Sequence, residues 1–195
     1  MTTEEIIIYI SAYCLFIGFF LIERFVRKGE NTKNMGRTKF DRGSTTVVSI
    51  VMGTAFVTIP FAPLMNYFNI CGIFNLWLSV AGIIVGAMGL VIRYMAFKTL
   101  GRFFTRILRE EENHKLIKTG IYKRIRHPGY LSDILIFIGA ATAMGNLILI
   151  IAIPVMFIPA YMYRISAEEK MLIDLFGTDY IEYKKTSKKL IPFIF

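Results

Sequence analysis

The sequence predicts an all-α integral membrane protein with about five transmembrane helices. Of its 195 residues, 55% are hydrophobic, and the mean hydropathy of +0.54 is higher than soluble domains usually have. No Asp, Glu, Lys or Arg occurs in residues 44–92 or in residues 134–163. Charge-free stretches of this length are typical of bilayer-crossing segments. By its length, the chain is expected to form a single domain, residues 1–195.

The first helix is predicted at residues 6–22, an apolar run that Glu23 and Arg24 close. At about 1.5 Å per residue, this run would extend roughly 25 Å, enough for one crossing. A cleavable signal peptide is the alternative. It is disfavoured because Glu4 and Glu5, rather than basic residues, precede the run and no A-x-A site follows.

The first charge-free stretch is long enough for two helices, predicted at residues 44–65 and 72–97 with the turn NYFNICG (66–72) between them. Pro60 and Pro63 are expected to kink or break the earlier of the two. The later one contains three glycines at close spacing. Small residues at this spacing favour close helix packing in a membrane over phosphate binding; they are Gly82, Gly86 and Gly89.

The last charge-free stretch is divided by MGN (144–146), which predicts helices at residues 130–144 and 147–168. Each apolar arm is about 15 residues, or roughly 22 Å, which is short of a full crossing. Flanking polar residues are therefore expected to complete each span. Pro154 and Pro159 are expected to kink or break the fifth helix.

The basic residues predict the orientation of these helices. Residues 23–43 carry 7 Lys and Arg, residues 93–126 carry 10 and residues 164–195 carry 6, which accounts for all 23. Because cytoplasmic segments are enriched in Lys and Arg, the N-terminus is predicted outside and the C-terminus in the cytoplasm. Topology and anionic lipid also explain the net charge of +9 without nucleic-acid binding.

Two predicted cytoplasmic segments, residues 100–133 and 163–195, are the candidates for a catalytic region. The first contains GIYKRIRHPGYLSD, in which Pro128 biases His127 away from helix and so predicts a loop before the fourth helix. Composition alone would also fit a juxtamembrane lipid anchor. In the second, Arg164 and Glu168 lie four residues apart, on one helical face near the membrane boundary. Ionisable residues at that depth suggest a functional site, although a structural ion pair is the alternative.

Metal and disulfide sites are not predicted. Cys14 and Cys71 lie in or beside apolar runs, without a CxxC motif and without His or Cys partners at metal-ligand spacing.

From residue 100 onwards the chain resembles the isoprenylcysteine carboxyl methyltransferase family, and its length resembles the compact prokaryotic members. The resemblance rests on HKLIKTGIYKRIRHPGY, matching a family pattern of H-x-L-V-x-x-G-x-Y followed by R-H-P-x-Y, and then on RISAEEKML and FGTDYIEYKK. One departure is Ser132, at a position where the family often has Gly. The resemblance implies a five-helix membrane enzyme that uses S-adenosylmethionine.

The resemblance also implies roles for individual residues. Arg164 would orient the carboxylate of the acceptor, and Glu168 would bind the cofactor and contribute to catalysis. The remaining cofactor-binding positions implied are His114, Lys115, Leu116, Ile117, Tyr122, His127, Pro128, Gly129 and Tyr130. No metal is implied.

The implied reaction is methylation of the C-terminal carboxylate of an S-prenylated cysteine, in a protein or a small mimic, at the cytoplasmic face of the membrane. The implied location is the cell membrane of a prokaryote or the endoplasmic reticulum of a eukaryote. Two alternatives stay open: a phospholipid or other lipid N-methyltransferase, and a non-enzymatic membrane scaffold. The compact length argues against the related sterol reductases, which use NADPH.

Overall fold

The computed structural model describes residues 2–26, 41–101 and 116–190, and these form helices joined by turns. A π-helical turn, Ile22–Val26, extends the first helix, and a 3₁₀ turn, Ile59–Phe61, joins the second to the third. This arrangement confirms the predicted all-α class. The helices are α1 (Thr3–Leu21), α2 (Ser44–Thr58), α3 (Ala62–Tyr67), α4 (Leu76–Leu100), α5 (Pro128–Ala143), α6 (Leu147–Phe176) and α7 (Thr178–Thr186).

Among the described residues, four helical spans are long and apolar enough to cross a membrane: Thr3–Val26, Ser44–Tyr67, Leu76–Leu100 and Leu147–Phe176. The fifth apolar helix, α5, has 16 residues and extends about 24 Å, less than the roughly 30 Å of a bilayer core. It contacts α1, α4 and α6, so it lies inside the bundle. The chain is therefore a multi-pass membrane protein in which the shortest apolar helix is surrounded by longer ones.

Several observed helix ends differ from the predicted ones. α5 begins at Pro128 rather than at residue 130, because proline suits the first position of a helix. α4 begins at Leu76 rather than at residue 72, because the Asn75 side chain caps the helix there by accepting from the Leu78 amide. α6 begins at Leu147 as predicted but continues past the predicted end at residue 168 to Phe176.

The prolines act differently in the two helices that contain them. At Pro60 the α-helix gives way to the 3₁₀ turn, and the Tyr13 hydroxyl donates to the Pro60 carbonyl at 2.8 Å. α6, in contrast, stays one continuous helix through Pro154 and Pro159, and the expected break does not occur there. Membrane helices tolerate proline where neighbouring groups satisfy the freed backbone.

The predicted packing role of the α4 glycines is confirmed by the contacts between α4 and α5. A Cβ added to Gly82 would lie 2.7 Å from the Gly139 carbonyl oxygen, and one added to Gly89 would lie 2.9 Å from the Ser132 carbonyl oxygen. The backbones of the two helices therefore touch, as they do at small-residue interfaces in membranes. This close approach holds α5, which begins at the R-H-P motif, directly against α4.

Replacing Gly139 with Ala is expected to destabilise the protein by roughly 1–3 kcal/mol, because the new Cβ would overlap the α4 backbone. That Cβ would lie 2.6 Å from the Gly82 carbonyl oxygen and 2.7 Å from the Gly86 Cα. The matched control is Gly53→Ala in α2, where nothing lies within 4 Å. Thermal unfolding in one detergent would compare the variants, and equal melting temperatures would contradict the packing argument.

Two turns without Lys or Arg, residues 66–72 and 144–146, lie side by side at one end of the bundle. The Asn146 side chain donates to Asn66 Oδ1 and to the Ile70 carbonyl, each at 2.8 Å, and Asn66 donates in turn to the Met144 carbonyl. Backbone bonds also connect them, from Ile73 to the Gly145 carbonyl and from Leu147 to the Cys71 carbonyl. Both helical hairpins therefore turn at the same level.

Candidate active site

Arg164 of α6 lies at the end of the bundle where the predicted cytoplasmic segments meet, and only 3% of it is exposed. Its Nη1 donates to Asp41 Oδ1 at 2.8 Å, to Ser44 Oγ at 3.0 Å and to Thr45 Oγ1 at 2.9 Å. The acceptors belong to the first turn of α2 and the residues before it, and α2 packs along α6. A charge at this depth requires such partners, because an unpaired buried cation is costly.

Asp41 is the centre of this contact. Its Oδ1 also accepts from the Ser44 hydroxyl at 2.9 Å, the Thr45 amide at 3.0 Å and the Thr45 hydroxyl at 2.6 Å. Burial raises the pKa of Asp41, but the hydrogen bonds from Thr45 and Ser44, together with the charge of Arg164, outweigh burial and hold that pKa below its ordinary value. The carboxylate is therefore ionised at neutral pH.

Tyr130 of α5 connects Arg164 to Glu168, one helical turn further along α6. Arg164 Nε donates to the Tyr130 hydroxyl at 3.2 Å, and that hydroxyl donates to Glu168 Oε2 at 2.6 Å. The His127 ring stacks on the Tyr130 ring with centroids 5.7 Å apart, and His127 Nδ1 lies 3.6 Å from the same Glu168 oxygen. Arg164, Tyr130, Glu168 and His127 thus form one polar cluster, in which the Glu168 side chain keeps 25% exposure.

The loop that carries His127 is held by the segment after α7. Arg126 and His127 amides donate to the Lys188 and Lys189 carbonyls at 2.8 and 3.2 Å, and the Lys188 amide donates to the Arg124 carbonyl at 2.9 Å. This short pairing fixes the backbone immediately before Pro128, where α5 begins. The position of His127 therefore depends on residues about sixty positions later in the sequence.

Glu169 ties α7 to the same loop. Its Oε1 accepts from Arg126 Nε at 3.0 Å, and its Oε2 lies 2.7 Å from Lys184 Nζ. Arg126 also donates to the Lys184 carbonyl and to both oxygens of Ser187. The adjacent glutamates thus have different partners, since Glu168 faces Tyr130 whereas Glu169 pairs with the basic residues of the loop and α7.

Three tyrosines lie around these glutamates. Burial, followed by the negative charge of Glu168, raises the pKa of Tyr122; burial with the charges of Glu169 and Glu168 does the same for Tyr180. Burial raises the pKa of Tyr183 to about 12, and its hydroxyl donates to the Tyr122 carbonyl at 2.6 Å. All three phenols therefore stay neutral near pH 7 and can act as hydrogen-bond donors.

Two buried polar atoms of this region make no hydrogen bond within the part of the chain that the structure describes: the Tyr180 hydroxyl and His127 Nε2. His127 Nε2 lies 3.5 Å from Glu169 Oε1. Buried polar groups in proteins are nearly always satisfied, and exceptions mark places where water or a ligand supplies the partner. These two atoms therefore suggest that the cluster accommodates a polar ligand.

The structure brings together most of the residues that the sequence singled out. Arg164, Glu168, His127 and Tyr130 are in direct contact, with Pro128 and Gly129 forming the first turn of α5 beside them. Tyr122 lies nearby through its contact with Tyr183, whereas Ile117 packs against the Ala96, Phe97 and Tyr122 cluster and Leu116 is half-buried. His114 and Lys115 lie outside the described residues.

Sequence reasoning missed Asp41, Ser44 and Thr45. The stretch DRGST immediately before an apolar run is typical of a helix start, because Asp, Ser and Thr cap helices. That pattern predicts where α2 begins but not what the capping residues face. Glu169 was missed as well, since nothing in AEEK distinguishes the role of one glutamate from that of its neighbour.

A second set of buried polar side chains lies next to the cluster, between α1, α4 and α5. Arg93 pairs with Glu23 of the π-helical turn and with Asp133 of α5, and its guanidinium lies 4.0 Å from the Phe19 ring centroid. The Tyr161 hydroxyl donates to Asp133 Oδ2 at 2.8 Å, and the Tyr161 ring lies 5.1 Å from that of Tyr130. This group supports the cluster from inside the bundle.

The part of the chain that carries most of this cluster is similar to known proteins. Residues 80–174 match the isoprenylcysteine carboxyl methyltransferase (ICMT) family, and this range includes Tyr130, Arg164 and Glu168. A solved structure of the eukaryotic intramembrane Ras methyltransferase ICMT covers 100% of the chain, with a TM-score of 0.67 and 26% sequence identity. These matches make the chain similar to the isoprenylcysteine carboxyl methyltransferase family. This chain covers 69% of that solved chain.

Curated protein-S-isoprenylcysteine O-methyltransferases are similar to 60% of this chain. Protein-S-isoprenylcysteine O-methyltransferase B of Arabidopsis thaliana is 34% identical over 120 residues, 60% of this chain and 61% of its own length. The Saccharomyces cerevisiae and Homo sapiens enzymes are 39% and 32% identical over 60% of this chain, and 49% and 42% of their own lengths. The chain thus spans about two fifths to three fifths of these relatives.

Proposed function

We propose that this protein methylates the carboxylate of an S-prenylated cysteine with S-adenosylmethionine as the methyl donor. The observation that carries the proposal is the contact of Arg164 and Glu168 through Tyr130, at the end of the bundle where the loop before α5 and the segment after α7 meet. The names of the curated relatives support the acceptor class. Family members use a methyl donor, and the residues of this cluster suit a donor that carries positive charge.

The described residues fit S-adenosylmethionine in charge and in hydrogen-bonding capacity. The partly exposed Glu168 carboxylate would accept from the ammonium group of the donor. The Tyr180 hydroxyl and His127 Nε2, which make no hydrogen bond to the described residues, would find partners on the donor. When bound, S-adenosylmethionine supplies a methyl group made electrophilic by its positively charged sulfur. Leu116, Ile117, Tyr122, Pro128 and Gly129, with His114 and Lys115, are proposed to form the rest of the donor site.

The chain's own residues need only to hold and shield the acceptor. An α-carboxyl group has an ordinary pKa near 3.5, so the nucleophile is ionised at neutral pH and no general base is required. Arg164 is proposed to bind this carboxylate, because a guanidinium presents parallel donors to two carboxylate oxygens. Its depth in the bundle, with 3% exposure, excludes water and strengthens that interaction.

The same arrangement supports the proposed orientation in the membrane. The turns at Asn66 and Asn146, which have no Lys or Arg, lie together at one end of the bundle. The candidate site lies away from them, with Arg164, the loop before α5 and the segment after α7. Lys and Arg are enriched in the cytoplasmic segments of membrane proteins. We therefore propose an N-terminus outside and a cytoplasmic cluster, where a soluble donor meets an acceptor whose prenyl chain stays in the bilayer.

Purified protein incubated with methyl-labelled S-adenosylmethionine and N-acetyl-S-farnesylcysteine is expected to form a labelled product that mild base releases, as methyl esters do. The farnesylcysteine carboxamide, which lacks the carboxylate, is the matched control acceptor and should take up no label. An aminolipid arm tests N-methylation, whose product keeps its label in base. Label on the aminolipid alone, or no label with folded and donor-binding protein, would refute the proposal.

A further inference from the structure

We infer that Asp41 is an internal competitor for the acceptor carboxylate: it occupies Arg164 when no acceptor is bound and leaves Arg164 when one binds. The inference rests on the proposed function of Arg164 and names a step at the same site. Asp41 lies outside residues 80–174, the part that matches the family. The specific claim is an exchange of one carboxylate for another at a single guanidinium.

The first argument is the geometry of the contact. Asp41 Oδ1 lies 2.8 Å from Arg164 Nη1, and each side chain of the pair is 4% exposed. Ser44 and Thr45 oxygens also accept from Nη1, and the Tyr130 hydroxyl accepts from Nε. A carboxylate that binds both Nη1 and a second nitrogen of this guanidinium must therefore displace protein acceptors, of which Asp41 is the charged one among the described residues.

The second argument is charge. Asp41 neutralises Arg164, and Glu168 adds a further negative charge one helical turn away. An acceptor carboxylate that entered with Asp41 still in place would give the buried site an excess of negative charge, which a low-dielectric environment penalises. Exchange avoids this excess. After methylation the product is a neutral ester, which cannot compete with an ionised carboxylate for Arg164, so the return of Asp41 favours product release.

The third argument is that Asp41 can give up Arg164 without becoming an unsatisfied buried anion. Its Oδ1 keeps three other donors, the Ser44 hydroxyl and the amide and hydroxyl of Thr45. These hydrogen bonds come from the same turn of chain, so they persist if Asp41 and Arg164 move apart. They also lower the pKa of Asp41 independently of the ion pair, which keeps the competitor ionised throughout.

The test compares two ligands that differ only in charge: N-acetyl-S-farnesylcysteine and its methyl ester. Their dissociation constants are measured by calorimetry in lipid nanodiscs without a methyl donor, for the wild type and for Asp41→Asn. The variant is expected to bind the carboxylate about fivefold to tenfold more tightly, and the ester with unchanged affinity. Asp174→Asn, an Asp-to-Asn change at an exposed position of the same helix as Arg164, is the matched control and should leave both constants unchanged.

A structural role for Asp41 would give a different result. If Asp41 only positions Arg164, Asp41→Asn weakens the binding of both ligands or of the carboxylate ligand alone. Either result overturns the inference. An unchanged ratio of the two dissociation constants, ester to carboxylate, overturns it as well. Asp41→Ser, which keeps a side-chain oxygen that can accept from the Thr45 amide, repeats the test should the Asn variant fail to fold. Because these dissociation constants need no turnover, they are independent of the labelling assay. If the wild type is active but Asp41→Asn leaves the ratio of the two constants unchanged, the competitor role of Asp41 is refuted and the proposed function is not.

Discussion

Replacing Arg164 with Lys is expected to lower kcat/KM for the prenylcysteine acceptor by about 100-fold or more. In the structure the guanidinium contacts Asp41, Ser44 and Thr45 through one nitrogen and the Tyr130 hydroxyl through another. A lysine keeps the positive charge, but its single nitrogen cannot reach both sides of the site. Initial rates at varied acceptor concentration would measure the loss.

The design of this experiment separates acceptor binding from other effects. Donor affinity, measured by calorimetry, should change by less than about threefold, because Glu168 and His127 remain in place. Lys170→Ala, at an exposed position on the same helix, is the control and should keep nearly full activity. A lysine variant within about threefold of the wild-type kcat/KM would exclude a carboxylate-orienting role for Arg164.

Replacing Arg93 with Met is expected to cost roughly 3–5 kcal/mol of stability, which would strongly reduce the yield of folded protein. Arg93 is 4% exposed and pairs with Glu23 and Asp133, so its removal takes a buried positive charge away from two carboxylates. Methionine is apolar and of similar length, so the loss reflects the charge more than an empty volume. Thermal unfolding in detergent would measure the change.

Two further variants identify the cause of this loss. Lys98→Met makes the same kind of change at an exposed position on the same helix and should have little effect on the melting temperature. Adding Asp133→Asn to Arg93→Met should recover part of the stability, because the buried Asp133 charge that Arg93 neutralised is then removed as well. An Arg93→Met protein as stable as the wild type would mean that the ion pairs make no net contribution.

The sequence predicted the helices and their turns well, because a bilayer imposes a strict composition on the segments that cross it. Residues 44–92 and 134–163 lack charged residues, and the structure has helices throughout most of both. The glycines of α4 were also interpretable, since only close packing explains three small residues at this spacing in an apolar helix. Helix ends were less predictable, because capping and continuation depend on single side chains such as Asn75.

The candidate site was predictable only where its residues are close in sequence or follow a known motif. Arg164 and Glu168 are separated by one helical turn, and His127 and Tyr130 belong to R-H-P-x-Y. Asp41 lies 123 residues before Arg164, and no local pattern encodes a contact over that separation. Likewise Arg93 and Asp133 come from different helices, and only the fold shows that they meet.

The pairing of Arg126 and His127 with Lys188 and Lys189 has a consequence for biosynthesis. α1 to α6 precede Lys188 and Lys189 in the chain, so these helices can enter the membrane before the two lysines have been translated. The loop before α5, by contrast, acquires its backbone partners only when Ser187 and the residues after it have left the ribosome. Completion of the cluster therefore follows the synthesis of all six of these helices.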